Sequence, residues 1–554
     1  MKLKLSGLII LLLIIIFIPS CNRKNNEHPG AIIIGISSDI DSYNPLFSYT
    51  EDEGNVSSLL YLSLIDFDWN ERDGELIPMP MLAKDWQWNK DSTSITFDLR
   101  KDVYWSDGVQ FTASDVIFSY DLYSDPAIQS SRYGIFRSFA VDTALRIDLK
   151  KTFIVENPFK IVVNLKKGIL PTYIDFALPV VPEHVFKNID RKNLITVEKQ
   201  LKPVTDGPFY LAKWDKNQAI ILKENDKSFL HKPGGASELI FKIVPDYTSR
   251  ITQLKNGEID FMEDVKAEDL NQLENLSNVK LTQITGREYD YAAWSNIDPD
   301  AYQKNKKILP NKFFGDKNIR EAMTYAINRQ EILHDFIKDH GELAAGPVAP
   351  IFKNDLDTLL KTLPYDPEQA RKILAGEGWK DVNNSGVLEK NGQKFSFTFY
   401  IPSGNPRRVF AASVIKNDLK QIGVDMKIES LEPQVFFQKV FSHQLNAWMA
   451  GWSVAIPLDL KSFWFSDLQN TPMNFSCYQN KNVDKLLIEI DHERNQARRR
   501  LLFKEVQDII YSDNPVTFLY WINNNIAYNS RIKDINITTL GAVYHPWNWS
   551  VSNN

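Results

Sequence analysis

The sequence reads as an α/β protein assembled from more than one domain. Three observations carry this. Its 554 residues far exceed the roughly 250–300 that a single hydrophobic core supports. Residues 395–401 and 424–431 have the short apolar pattern of strands, and they flank a helical pattern at about 405–422, which makes a βαβ unit. Residues 316–338 place Ile319, Ala322, Met323, Ala326, Ile327 and Ile332 on one side of a helix, and 483–512 reads as a long amphipathic helix.

The elements follow in chain order. Ala31 to Ile36 is a short apolar run bounded by Gly30 and by Ser37-Ser38-Asp39, so it reads as the first strand. Residues 56–67 alternate at helical spacing. Ser94 to Arg100 alternates at period two, as a half-buried strand does, and Trp105-Ser106-Asp107-Gly108 then turns. Thr112 is placed to cap a helix running through Val116, Ile117, Phe118 and Tyr120, with Asp115 at the capping-box position. Residues 203–245 are strand-rich around Asp206-Gly207-Pro208. Asp366 to Leu374 is a helix with Pro367 in its first turn, where a missing N–H does no harm.

Residues 1–21 read as a signal peptide. Lys2 and Lys4 precede an unbroken apolar run, Leu8 to Ile18, which is shorter than the roughly 20 residues a membrane span needs. The run ends in Ile18-Pro19-Ser20-Cys21, which resembles a bacterial lipobox, with Pro19 an uncommon choice at its position. Cys21 would then carry the lipid, and several acyl chains anchor stably where one does not. Residues 22–30 form a polar tether.

Net charge is -6, and the one basic run, Arg498-Arg499-Arg500, reads as a solvated helix face, so nucleic acid is not expected as a partner. Of two cysteines only Cys477 remains after Cys21, which rules out an internal disulfide; Cys477 reads as a packed small residue. The eight histidines are scattered without ligand spacing, and no G-x-S-x-G, H-E-x-x-H or phosphate-loop motif is present. The sequence therefore calls for no cofactor, no metal and no catalytic residue, and the chain does not read as an enzyme.

Leu82-Ala83-Lys84-Asp85-Trp86, the stretch from Phe97 to Gly108, and Phe111-Thr112-Ala113-Ser114-Asp115-Val116 form one extended signature. Asp206-Gly207-Pro208-Phe209-Tyr210, Gly257-Glu258-Ile259-Asp260, Asp316 to Ala322 with Ala326 to Arg329, Tyr365 to Ala370 with Gly378-Trp379, and Gly451-Trp452 follow in order. Together these segments resemble the family 5 extracellular solute-binding proteins, receptors for peptides, nickel complexes and some oligosaccharides. The resemblance spans residues 31 to 545. It implies a two-lobed periplasmic-binding-protein fold of the class II type, with an extra subdomain in the first lobe. The expected division is 31–65, 201–289 and 526–554 for the first lobe, 66–200 for the extra subdomain, and 290–525 for the second lobe.

The resemblance also implies a role: a lipid-anchored, monomeric receptor outside the cytoplasm that captures a solute, by default a peptide, between its lobes and hands it to the permease and ATPase subunits of an ABC importer. Receptors for oligosaccharides or chelated metal are alternatives within the fold. An extracytoplasmic hydrolase is the alternative of a different class, and a sensing or assembly role on the same fold is a third. The site residues carried over are Trp452, Ser453, Val454 and Ala455 in the cleft motif, Tyr291 and Trp294 on the strand crossing into the second lobe, and Tyr43 and Asn44 after the first strand; independently of the resemblance, Arg407 and Arg408 at the start of the predicted helix read as a fork for a carboxylate. Peptide receptors of the family place an Asp where Ala455 stands. A buried ammonium needs a paired carboxylate, so ligands without an exposed amine gain weight; Asp459, four residues on, would substitute only on a different loop path.

Overall fold

The computed structural model describes residues 30–552 apart from Ile135 and Pro472. Cys21 and its apolar run lie outside the described residues. One 11-stranded sheet runs through both lobes. In spatial order its path is Asp425–Leu431, Ser396–Pro402, Ala447–Ser453, Val279–Trp294, Val516–Asn529, Phe261–Met262, Ala31–Ile36, Glu238–Ile243, Ala219–Glu224 and Phe209–Asp215. The two long central strands, antiparallel to each other, are the only two in this path that serve both lobes. Gly341–Leu343 pairs with the second of them off the main path.

The hydrophobic cores divide accordingly. Ile32, Leu59, Phe97, Tyr120, Phe176, Leu239 and Trp549 belong to one continuous core of the first lobe. Trp294, Phe314, Met323, Phe399 and Leu419 pack one face of the second lobe's sheet, and Tyr289, Trp448, Trp464, Phe503 and Phe518 pack the other. A separate four-stranded antiparallel sheet, ordered Ala83–Trp88, Ser94–Leu99, Lys160–Asn164, Phe153–Asn157, stands within the first lobe.

Local sequence explains these elements. Ser94–Leu99 buries Ile95, Phe97 and Leu99 and leaves the alternate residues half-exposed. The Asp115 carboxylate accepts the Thr112 backbone N–H at 2.9 Å, closing the start of helix Ala113–Ser124. Ser396–Pro402 and Asp425–Leu431 pair in parallel around helix Pro406–Gln421, the expected βαβ unit. Gly257 ends helix Tyr247–Asn256 at φ +70°, and Asp260 three residues on binds Arg531 at 2.5 Å, tying the C-terminal segment to the first lobe.

Three helical readings change. Residues 56–67 divide into helix Glu51–Leu60 and strand Ile65–Asn70, because the Tyr61 backbone leaves the helix in extended conformation. Residues 316–338 form two helices, Lys317–Ala326 and Arg329–Asp335, since Asn328 caps the second and its N–H donates to Asp418. Residues 483–512 likewise split into Lys481–His492 and Gln496–Asp513, the second capped by Asn495.

Candidate functional site

Where the first crossing strand enters the second lobe it carries Glu288 and Asp290. Asp290 is fully buried. It accepts from Arg407 Nε at 2.7 Å, from Arg408 Nε and Nη2 at 3.1 Å each, and from the Tyr520 hydroxyl at 3.1 Å. Arg407 also reaches Glu288 at 2.9 Å. Both arginines sit in the first turn of helix Pro406–Gln421, which the turn at Gly404 and the Asn405 cap orient. Gly451, opposite Asp290 in the ladder, is required here: a Cβ on it would lie 2.3 Å from Asp290 Oδ1 and 2.4 Å from Arg408 Nη2. The glycine of the Gly451-Trp452 motif thus makes room for a buried ion cluster.

Between the lobes runs a cleft of three neighbouring cavities, of about 380, 470 and 840 Å³. Ile456 and Leu76 border the first and second; Leu170, Thr172 and Arg499 border the second and third. Walls come from the Ile65–Asn70 and Glu75–Pro80 hairpin of the first lobe, from residues 456–458, and from the start of helix Gln496–Asp513. At the hinge end Arg287 lines the first cavity and donates to the Val454 carbonyl at 2.8 Å; burial lowers its pKa. Glu51, Asp52 and Glu263 gather nearby, and burial followed by the repulsion of neighbouring carboxylates raises their pKa values, to about 6 for Asp52.

The lobes touch across this cleft. Trp69 of the hairpin packs edge-on against Phe352 with ring centroids 6.1 Å apart and joins the second lobe's core. At the hairpin tip Gly74 meets the opposite backbone so closely that a Cβ would lie 2.2 Å from the Ile351 carbonyl oxygen. Glu75 accepts from Gln496 and Arg500, His492 Nδ1 donates to the Gly168 carbonyl at 2.5 Å, and Arg494 to the Asp91 carbonyl at 2.8 Å.

The residues expected from the sequence are placed unevenly. Trp452 packs against Phe463 and Phe475, with centroids at 4.8 and 5.6 Å, and borders a crevice of only about 20 Å³. Val454 is buried beside Arg287, while Ser453 and Ala455 are exposed. The motif loop reaches the cleft through Ile456, Pro457 and Leu458, one step beyond the residues singled out. Asp459 lines none of the three cavities and instead accepts from the Ser462 backbone N–H and hydroxyl, so it does not stand in for a carboxylate at 455.

Five of the expected site residues need correction. Trp294 is fully buried, donates from Nε1 to Thr517 Oγ1 at 3.0 Å and packs on Phe314, so it is core. Tyr291 is also buried, against Tyr289, and burial raises its pKa. The cause is shared: this part of the sheet is covered on both faces, so alternation along the strand does not turn residues to the cleft. Tyr43 is buried with its hydroxyl donating to the Glu198 and Leu201 carbonyls, and Asn44 caps the one-turn helix Pro45–Phe47. Arg407 does fork onto carboxylates, but they are the chain's own. Cys477 is buried and inert, its thiol pKa raised by burial.

The sequence reading missed Arg499 and Arg500. Arg498 is solvated and paired with Glu489 and Glu505, but its two neighbours turn into the cleft. The Asn495 cap sets where their helix begins, and the run of three arginines itself carries no sign of which ones face the cleft.

Among the described residues no helix is long and apolar enough to cross a membrane, and no three His, Cys, Asp or Glu side chains come together to hold a metal ion. The profile of the bacterial extracellular solute-binding proteins, family 5 (Middle), matches residues 78–474. The chain is 25% identical to the oligopeptide-binding protein AppA of Bacillus subtilis, over 98% of this chain and 97% of that one. AppA solved in complex with a nonapeptide superposes with a TM-score of 0.73 at 24% identity, covering 94% of this chain and 99% of AppA. NikZ from Campylobacter jejuni, in complex with Ni(L-His), superposes with a TM-score of 0.73 at 26% identity and the same coverage. With the two-lobed fold, the interlobe cleft and a match over most of its length, the chain belongs to family 5 of the bacterial extracellular solute-binding proteins, and it is a transport binding protein rather than an enzyme.

Proposed function

We propose that the chain is the peptide receptor of an ABC importer, anchored to the outer side of a bacterial membrane by lipid on Cys21. The observation that carries the cargo is the run of three cavities between the lobes. Together they exceed the roughly 300–1,000 Å³ that a drug-sized ligand occupies, as an elongated ligand requires. The hairpin that reaches across them is suited to close over such a ligand, and a permease would read the closed form. The similarity to the oligopeptide-binding protein AppA supports the same reading.

With Ala455 in the motif and Asp459 off the cavity walls, this loop presents no carboxylate to the cleft for a peptide ammonium. A receptor for oligosaccharides or for a metal chelate is therefore the second reading, and the similarity to NikZ bears on it.

One experiment separates them. Thermal denaturation is followed with di- to nonapeptides, cello- and malto-oligosaccharides, and nickel–histidine chelates. A true ligand at 100 times its dissociation constant stabilises by about 2.7 kcal/mol. Stabilisation by peptides alone supports the first reading; stabilisation by another class alone overturns it. For the anchor, Cys21→Ser should abolish incorporation of labelled palmitate and release the protein from the membrane fraction. Labelling that persists would refute it.

A further inference from the structure

The largest of the three cavities carries charge that the fold does not use. It lies between residues 134–175 of the first lobe and 461–499 of the second. Arg137 and Lys166 line it from one side, Lys461 and Arg499 from the other, and its two lining carboxylates are Asp175 and Asp491. Both acids are engaged. Asp491 binds Lys461 at 2.5 Å, and Asp175 accepts the Thr172 backbone N–H at 3.2 Å.

Arg137, Lys166 and Arg499 have no side-chain ion pair or side-chain hydrogen bond among the described residues. Arg499 is half-buried, its Nε is shut off from water without a hydrogen-bond partner, and its guanidinium rests 5.4 Å from the Phe503 ring centroid. It stands on the wall shared with the second cavity, midway along the cleft. Asp355, on the second cavity's wall, is the nearby carboxylate that Arg499 acts on, but no ion pair or hydrogen bond joins the two, and the planar fork is left free to match a ligand carboxylate.

We propose that this chamber receives a carboxylate of the bound solute, with Arg499 as its principal partner and Arg137 and Lys166 adding positive potential from the facing lobe. The inference rests on the peptide reading. It makes the ligand an extended peptide whose anionic end lies beyond Arg499, away from the acidic hinge end that holds Glu51, Asp52 and Glu263. The carboxylate is either the peptide's C-terminus or an acidic side chain near it.

The test uses a pool of uncharged-sequence hexa- to nonapeptides in three forms: free acids, C-terminal amides, and amides with one Glu at the penultimate position. Capture by the full chain is measured by native mass spectrometry, with competition between forms. The native protein should favour free acids over amides by about tenfold to a hundredfold, the range of a charge-assisted hydrogen bond. Recovery of affinity in the Glu-bearing amides identifies a side chain as a sufficient source; no recovery identifies the C-terminus. Arg499→Gln should erase the preference, and Arg498→Gln on the same helix should leave both the preference and amide capture intact. Should Arg499→Gln unfold, Arg137→Gln with Lys166→Gln must still weaken the preference. Equal capture of acids and amides by the native protein overturns this inference alone, as does a preference that survives all three substitutions. Capture of no form overturns the peptide reading together with it.

Discussion

Replacing Asp290 with Asn tests whether the buried cluster beneath Gly451 holds the second lobe together. The change is nearly isosteric, so packing is retained and a charge is removed. Asp290 is the fully buried member; the side chains of Arg407 and Arg408 keep 21% and 12% of their exposure, and Glu288 keeps 43%. After the substitution two guanidinium groups share one remaining carboxylate, 2.9 Å from Arg407 and 4.0 Å from Arg408. Removing one partner of a buried pair costs about 3–5 kcal/mol. Glu288 and the water that reaches Arg407 absorb part of this, which sets the expected loss at the lower end, about 3 kcal/mol. In a unit of 150–250 residues each kcal/mol moves Tm by about 2–4 °C, so calorimetry should register a fall of about 6–12 °C. A fall under 2 °C would show that the cluster is replaceable and refute the reasoning.

Other outcomes follow from the same geometry. Gly451→Ala should destabilise by a comparable amount, because its Cβ cannot coexist with Asp290 and Arg408 as placed; an unchanged melting curve would mean the cluster yields freely. Trp69→Ala should loosen contact between the lobes and raise the radius of gyration of the unliganded protein in small-angle scattering, with the native value as the refuting result. Glu198 is buried, and burial pushes its pKa to about 7 against the opposing pull of Tyr43, Lys199 and Ser42. A carboxyl raised from about 4.5 stabilises the fold below pH 4.5 and loses that contribution as pH climbs to 7, so Glu198→Gln should remove up to about 3 kcal/mol of pH-dependent change across that window in urea titrations. A pH slope equal to the native one would count against it.

Much of this architecture is legible in the residues themselves. Ser94–Leu99 and the βαβ unit at 396–431 announce themselves because each buries one recognisable pattern at one period. The Asp115 cap and the Gly257 helix stop are local, so no distant information is needed to find them. What stays hidden depends on tertiary context. The breaks at Asn328 and at Asn495 interrupt apolar spacing that continues past them, and a capping side chain is invisible to a count of apolar positions. Trp294 reads as a cleft residue on a strand that is covered on both faces. Arg499 and Arg498 are identical neighbours with opposite surroundings, which only the course of the helix against the hairpin decides. The motif arginines teach a related lesson. Arg320 donates to the carbonyls of Phe314, Asp513 and Asn514, and Arg329 to those of Phe518 and Leu363. Burial lowers both to about 10, and both staple backbone carbonyls.

The continuous sheet has a mechanical consequence. Two antiparallel strands carry all sheet pairing between the lobes, and their ladder shifts register between Ile284 and Glu288, where Gly286 lies so close to the Ile522 carbonyl oxygen that a Cβ would sit 1.8 Å away. Such a ribbon is stiff against stretching, because a pull along it loads many ladder hydrogen bonds at once. It is soft in torsion and flexure at the bulge, where pairing is already interrupted. Flexure near Gly286 is therefore the motion this pairing resists least, ahead of sliding of one lobe past the other. A bulky residue there would jam the joint while leaving each half of the molecule folded.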